Sequence, residues 1–133
     1  MTNVGNTKAN DVIDSFESSF QDKVEIPTEL EMVWLRKAIG RYSERIGELN
    51  YDPLVMEFDS RLKQSTIDLL GTYMKLFYQE REVSKVNKRA SIVTKDLRWD
   101  GTNGTKTAEK SHLEYVLAEI LHLENDLKDT AYV

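Results

Sequence analysis

The 133-residue chain contains no cysteine. Disulfides, thiolate metal sites and cysteine nucleophiles are therefore excluded, and the composition suits a reducing cytosol. Proline occurs only twice and glycine six times. Long helices are thus left uninterrupted, and a sandwich of many short strands is disfavoured. No run of about 18 apolar residues occurs, so no membrane span is expected. Histidine is scarce as well: His112 and His122 stand ten residues apart, about 80° from one another around a helix, and are poorly placed to chelate one ion. HExxH, GxSxG and Ser-His-Asp patterns are missing. No catalytic residues, metal or cofactor are expected, and the chain reads as a non-enzyme. The N-terminal MTNVGNTKANDVIDSF has neither a basic start nor an apolar signal core, which leads to the expectation of a protein made in the cytoplasm.

What is present fits one folded domain: 40% hydrophobic and 31% charged residues, with a net charge of −5. That balance argues against a general nucleic-acid binder, but the charge is uneven. Lys75 to Arg98 carries +4, whereas Lys8 to Glu25 carries −3. Segments of opposite sign can meet within one chain or between neighbouring copies.

Periodicity predicts a mainly α fold, a three-helix domain with one long central helix. The first helix starts at a capping box, Thr28-Glu29-Leu30-Glu31 after Pro27, and repeats apolar residues from Leu30 to Leu49 at three-and-four spacing. Asp52 then reads as the N-cap of a second helix with Pro53 at its first position. That helix is expected from 53 to about 88, roughly 54 Å long, more than a core of this size can cover. Phe77 and Tyr78 broaden its apolar surface and are candidate subunit-packing residues. A third helix is expected from about 107 to 128.

Between the last two lies a short extended or β-hairpin excursion near 90–105. Ser91-Ile92-Val93-Thr94 is β-branched, and Asp100-Gly101 and Asn103-Gly104 are turn dipeptides. The stretch GTNGTKT is not a phosphate loop. Gly101 and Gly104 are two residues apart instead of four, and Thr105 separates the second glycine from Lys106. Residues 1–26 read as a flexible N-terminal arm with a short amphipathic helix, preceding a helical domain over 27–133. Its Phe16 and Phe20 are candidate packing residues, docking on this domain or on a partner.

The basic run from Arg81 to Arg98 is the most informative stretch. Arg81, Lys85, Lys88, Arg89, Lys95 and Arg98 are a solvated face, or a surface for phosphates or an acidic partner. Trp99 beside them is an interface anchor, or the plug of the hairpin base.

The segments IPTELEMVWLRKAIGRY, LNYDP, LGTYMKLFYQEREVSKVNKRASIVTKDL and DGTNGTKTAEKSHLEY, within residues 26–130, resemble small structural proteins of tailed phages of Gram-positive hosts. In architecture the chain is similar to neck or head–tail connector adaptors. The resemblance implies a structural virion protein, assembled in the host cytoplasm as a ring homo-oligomer. Its implied partners are other copies of itself, the portal, other neck or tail proteins, and packaged DNA through non-specific contact. Such channels are often lined by acids, so the basic segment faces either DNA or a neighbouring subunit. The alternative is a soluble cytoplasmic helical regulator or nucleic-acid-binding module using segment 81–98.

Overall fold

The computed structural model describes the backbone of residues 5–20, 25–96 and 100–131, and the side chains of 5–20, 25–85 and 108–128. Within these, four helices and one hairpin follow in the order α1 (Ala9–Ser18), α2 (Thr28–Arg45), β1 (Tyr51–Asp52), β2 (Glu57–Phe58), α3 (Gln64–Asp96) and α4 (Asp100–Ala131). The fold is mainly helical, as the periodicity predicts. The helix count, the position of the hairpin and the role of the N-terminal segment differ from expectation.

α3 is the central element, with α1, α2 and α4 packed on its sides. Contacts fix the directions. Trp34, Lys37 and Arg41 of α2 meet Tyr78, Phe77 and Tyr73 of α3, so these two helices are antiparallel. Ser15 of α1 meets Asp68, and Phe20 just beyond α1 meets Tyr78, so α1 runs parallel to α3. α4 returns antiparallel, with Glu124 against Tyr73. The core lies where all four helices overlap, around Phe16, Leu35, Leu69, Leu70, Met74 and Val116.

The N-terminal helix is part of this core and not a free arm. Val12, Ile13 and Phe16 recur on one face and are buried against α3. Close approach is possible because Gly71 offers no side chain there. A Cβ at that position would stand 3.0 Å from Ser15 Oγ and 3.2 Å from the Phe16 amide nitrogen. The start of α1 is anchored by the Lys8 amide, which donates to Asp11 at 2.8 Å.

The hairpin occupies 51–58, where the long helix was expected to begin. Tyr51 pairs with Phe58 and Asp52 with Glu57. Asp52 caps a turn instead of a helix: its Oδ1 accepts from the Leu54 amide at 2.9 Å. Met56 adopts φ 57°, a left-handed conformation that is strained for a residue with a side chain. It is held there because its carbonyl accepts from the Ala9 amide at 2.9 Å, while Phe58 donates to Thr7 at 2.8 Å. The sheet edge is thus tied to the segment leading into α1.

No hairpin forms near 90–105 in the described backbone: α3 continues to Asp96, and α4 already includes 100–105. Neither Asp100-Gly101 nor Asn103-Gly104 makes the expected tight turn. Two antiparallel helices that cover each other's apolar seam override weak local propensity. At about 1.5 Å per residue, the 33 residues of α3 span roughly 50 Å.

Candidate functional site

The expected packing residues turn inward on their own chain. Phe16 is fully buried, and Phe20 and Tyr78 are half-buried. With Trp34 they close a ring of four edge-to-face aromatic contacts. Centroid separations are 5.2 Å for Phe16–Phe20, 5.0 Å for Phe20–Tyr78, 6.3 Å for Tyr78–Trp34 and 6.0 Å for Trp34–Phe16. This geometry suits aromatic quadrupoles and locks α1, α2 and α3 together. Phe77 is half-buried beneath the Lys37 ammonium, 4.9 Å from its ring. Phe16, Phe20, Phe77 and Tyr78 all make contacts within their own chain. Apolar helix periodicity alone cannot tell a neighbouring helix of the same chain from one of another.

Among the basic candidates, Arg81 is exposed and Lys85 is half-exposed, 3.3 Å from Glu82. Lys88, Arg89 and Lys95 belong to the α3 backbone, but their side chains lie outside the described residues. Arg98 and Trp99 lie outside them altogether. At about 100° per residue, positions 81, 85, 88 and 95 fall within a strip about 80° wide, with position 89 about 40° outside it.

A buried polar junction escaped sequence reasoning. Glu124 of α4 is 1% exposed and accepts two hydrogen bonds on Oε2, from Tyr73 at 2.6 Å and from Arg45 Nε at 2.5 Å. Burial pushes this carboxyl up, but the bonds from Tyr73 and Arg45 prevail and hold it below its usual range. Burial, then the bond to Glu124, pushes the Tyr73 hydroxyl far up. The junction thus ties three helices through one anion. Its chemistry is structural: both donors are engaged, and the carboxylate is closed to solvent.

A second buried carboxyl behaves oppositely. Glu31, 4% exposed, does not reach back to cap α2, whose N-cap is Pro27. It stands beside Glu17 of α1, and its Oε2 has no partner. Burial, then the neighbouring Glu17 carboxyl, pushes Glu31 up to about 7.

Among the described residues several large apolar side chains are exposed. In the hairpin turn Leu54 is 90% exposed, Val55 58% and Met56 49%. Elsewhere Val33 of α2 is 50% exposed, and Tyr115, Leu117 and Leu121 of α4 are 67%, 42% and 55% exposed. A turn rich in aliphatic residues is readable in Asp52-Pro53-Leu54-Val55-Met56-Glu57, but only once the segment is known not to be helical. Among the described residues no group of acids and histidines is gathered to hold a metal, and no helix is long and apolar enough to cross a membrane. No protein-family model, curated protein or solved structure matches the chain.

Proposed function

We propose that the chain acts by assembly, as a structural virion protein of the neck or head–tail connector type, built into a ring of identical copies. The observation that carries the reading is the mismatch between the long α3–α4 pair and the shorter α1–α2 cover. Among the described residues, the aromatic contacts of α1 and α2 with α3 end at Tyr78, and α3 runs on to Asp96. On the facing part of α4, from Ala108 to Tyr115, only Glu109 and Leu113 are half-buried and the other six residues are exposed. The exposed positions described on this stretch offer surface to a neighbouring molecule. The exposed aliphatic side chains are consistent with the same role.

The test is quantitative peptide mass spectrometry on purified phage particles from the source strain, set against the major capsid protein. A low, fixed copy number near a dozen, as the resemblance implies, supports a neck component. Absence from particles, with abundance in the cell extract, overturns the virion reading.

One observation favours the second reading, a nucleic-acid-binding module: the alignment of basic positions 81, 85, 88 and 95 along α3. If these contact about four phosphates, log affinity for duplex DNA falls against log salt with a slope near −3.6. A salt-independent or undetectable affinity removes this reading.

A further inference from the structure

We propose that the hairpin turn 52–57 of one copy docks in the groove between α2 and α4 of a second copy. This deepens the assembly reading and rests on it.

The turn is an apolar knob with an acidic base. Leu54, Val55 and Met56 project into solvent, and Asp52 and Asp59 beside them are exposed acids. The Ala9–Met56 hydrogen bond and the left-handed Met56 backbone hold the turn in one shape. A rigid knob loses little conformational entropy on binding.

The groove has the complementary character. α2 and α4 both lie on α3 and run in the same direction, joined at Arg45–Glu124. One and two turns before Glu124 stand Leu121 and Leu117; one and two turns before Arg45 stand Arg41 and Lys37. The two leucines are about half exposed. Arg41 and Lys37 lie over the Tyr73 and Phe77 rings of α3. An apolar wall facing a cationic wall matches an aliphatic knob with acids at its base.

Knob and groove cannot meet within one molecule. The hairpin is fastened to the start of α1 through Lys8–Glu57 and Thr7–Phe58, whereas the groove opens between α2 and α4. Joining two different patches makes the contact heterologous, and repetition of such a contact gives a closed ring or an open filament.

The experiment is sedimentation velocity on the full chain over a concentration series, with two variants whose changes lie on exposed side chains. The knob variant is Leu54→Ser with Val55→Ser; the groove variant is Lys37→Glu with Leu121→Glu. Circular-dichroism melts verify that each still folds. The wild type is expected to form a multimer, and each variant to self-associate about tenfold or more weakly. An equimolar mixture of the two retains one intact knob and one intact groove, so it yields a heterodimer and nothing larger. A wild-type multimer that both folded variants form equally well overturns this interface while leaving assembly intact. Variants that weaken the multimer but give no heterodimer also overturn it. A wild type that stays monomeric throughout overturns the interface together with self-assembly.

Discussion

The buried carboxyl of Glu31 stands beside that of Glu17 across the seam between α1 and α2, with one oxygen of Glu31 left unpartnered. Burial first, then the neighbouring Glu17 carboxyl, favours the protonated form of Glu31.

Stability should therefore fall as pH rises through this pair. Below about 4.5 the Glu31 carboxyl is protonated in both folded and unfolded chains. Between 4.5 and about 7 the unfolded chain releases the proton while the folded chain keeps it, and above about 7 the penalty is complete. Glu31→Gln removes it. Urea melts at pH 8 should show a gain of roughly 1–3 kcal/mol over the wild type, shrinking to nothing near pH 4. An equal gain at both pH values would exclude titration of Glu31 as the cause.

Glu124 should give the opposite profile. Its folded carboxyl is held below the usual range, so its contribution is present at neutral pH and lost as pH falls through the folded value. Glu124→Gln leaves Arg45 without its counter-charge and weakens the bond from Tyr73. A loss of about 2–3 kcal/mol is expected at pH 7 by urea unfolding. The difference from wild type should narrow in acid, and a constant difference would contradict the assignment.

Two glycines inside helices should respond in opposite directions to alanine. At Gly40 a Cβ meets nothing within 4 Å, so the variant gains about 0.5–1 kcal/mol from helix propensity. At Gly71 the same methyl presses on the Phe16 backbone and the Ser15 side chain. There the crowding exceeds the propensity gain, and a net loss of about 1–2 kcal/mol is expected. Thermal melts of the two variants check the pair, and a stabilised Gly71→Ala would mean that α1 yields easily.

Tyr78→Ser removes one member of the aromatic ring formed with Phe16, Phe20 and Trp34. A loss of about 1–3 kcal/mol is expected even in dilute solution, where no multimer exists. A variant as stable as wild type but impaired in association would return Tyr78 to an intersubunit role.

The helices were legible where apolar spacing was regular. Leu30, Trp34, Ala38 and Tyr42 mark α2 plainly, but its N-cap is Pro27, one residue before the expected Thr28, and no capping box forms. Asp52-Pro53 misled because the same pair starts helices and turns alike; the hydrogen bond to Leu54 and the tie to Ala9 decide for the turn. The glycine-rich 100–107 misled in the other direction, since the cover given by an antiparallel helix is not visible in a local window. Of the candidate surfaces, the basic strip was readable as charge. The Leu54–Met56 knob was not, because its residues look like core until the fold leaves them outside. The Glu124 junction joins residues up to 79 positions apart, beyond any motif that spacing could suggest.

That separation also bears on how the chain reaches its fold. Thr7 meets Leu62, Ser15 meets Asp68 and Arg45 meets Glu124, across 55, 53 and 79 residues. Helical domains that fold within microseconds to milliseconds rely on local pairings; these ties give a higher contact order and a slower search. While a ribosome is still making α4, α3 has no cover on its third side and Tyr73 has no acceptor. A nascent chain in that state exposes the same apolar side of α3 that another nascent copy exposes. Completion of α4 therefore ends the interval in which mispairing competes with folding.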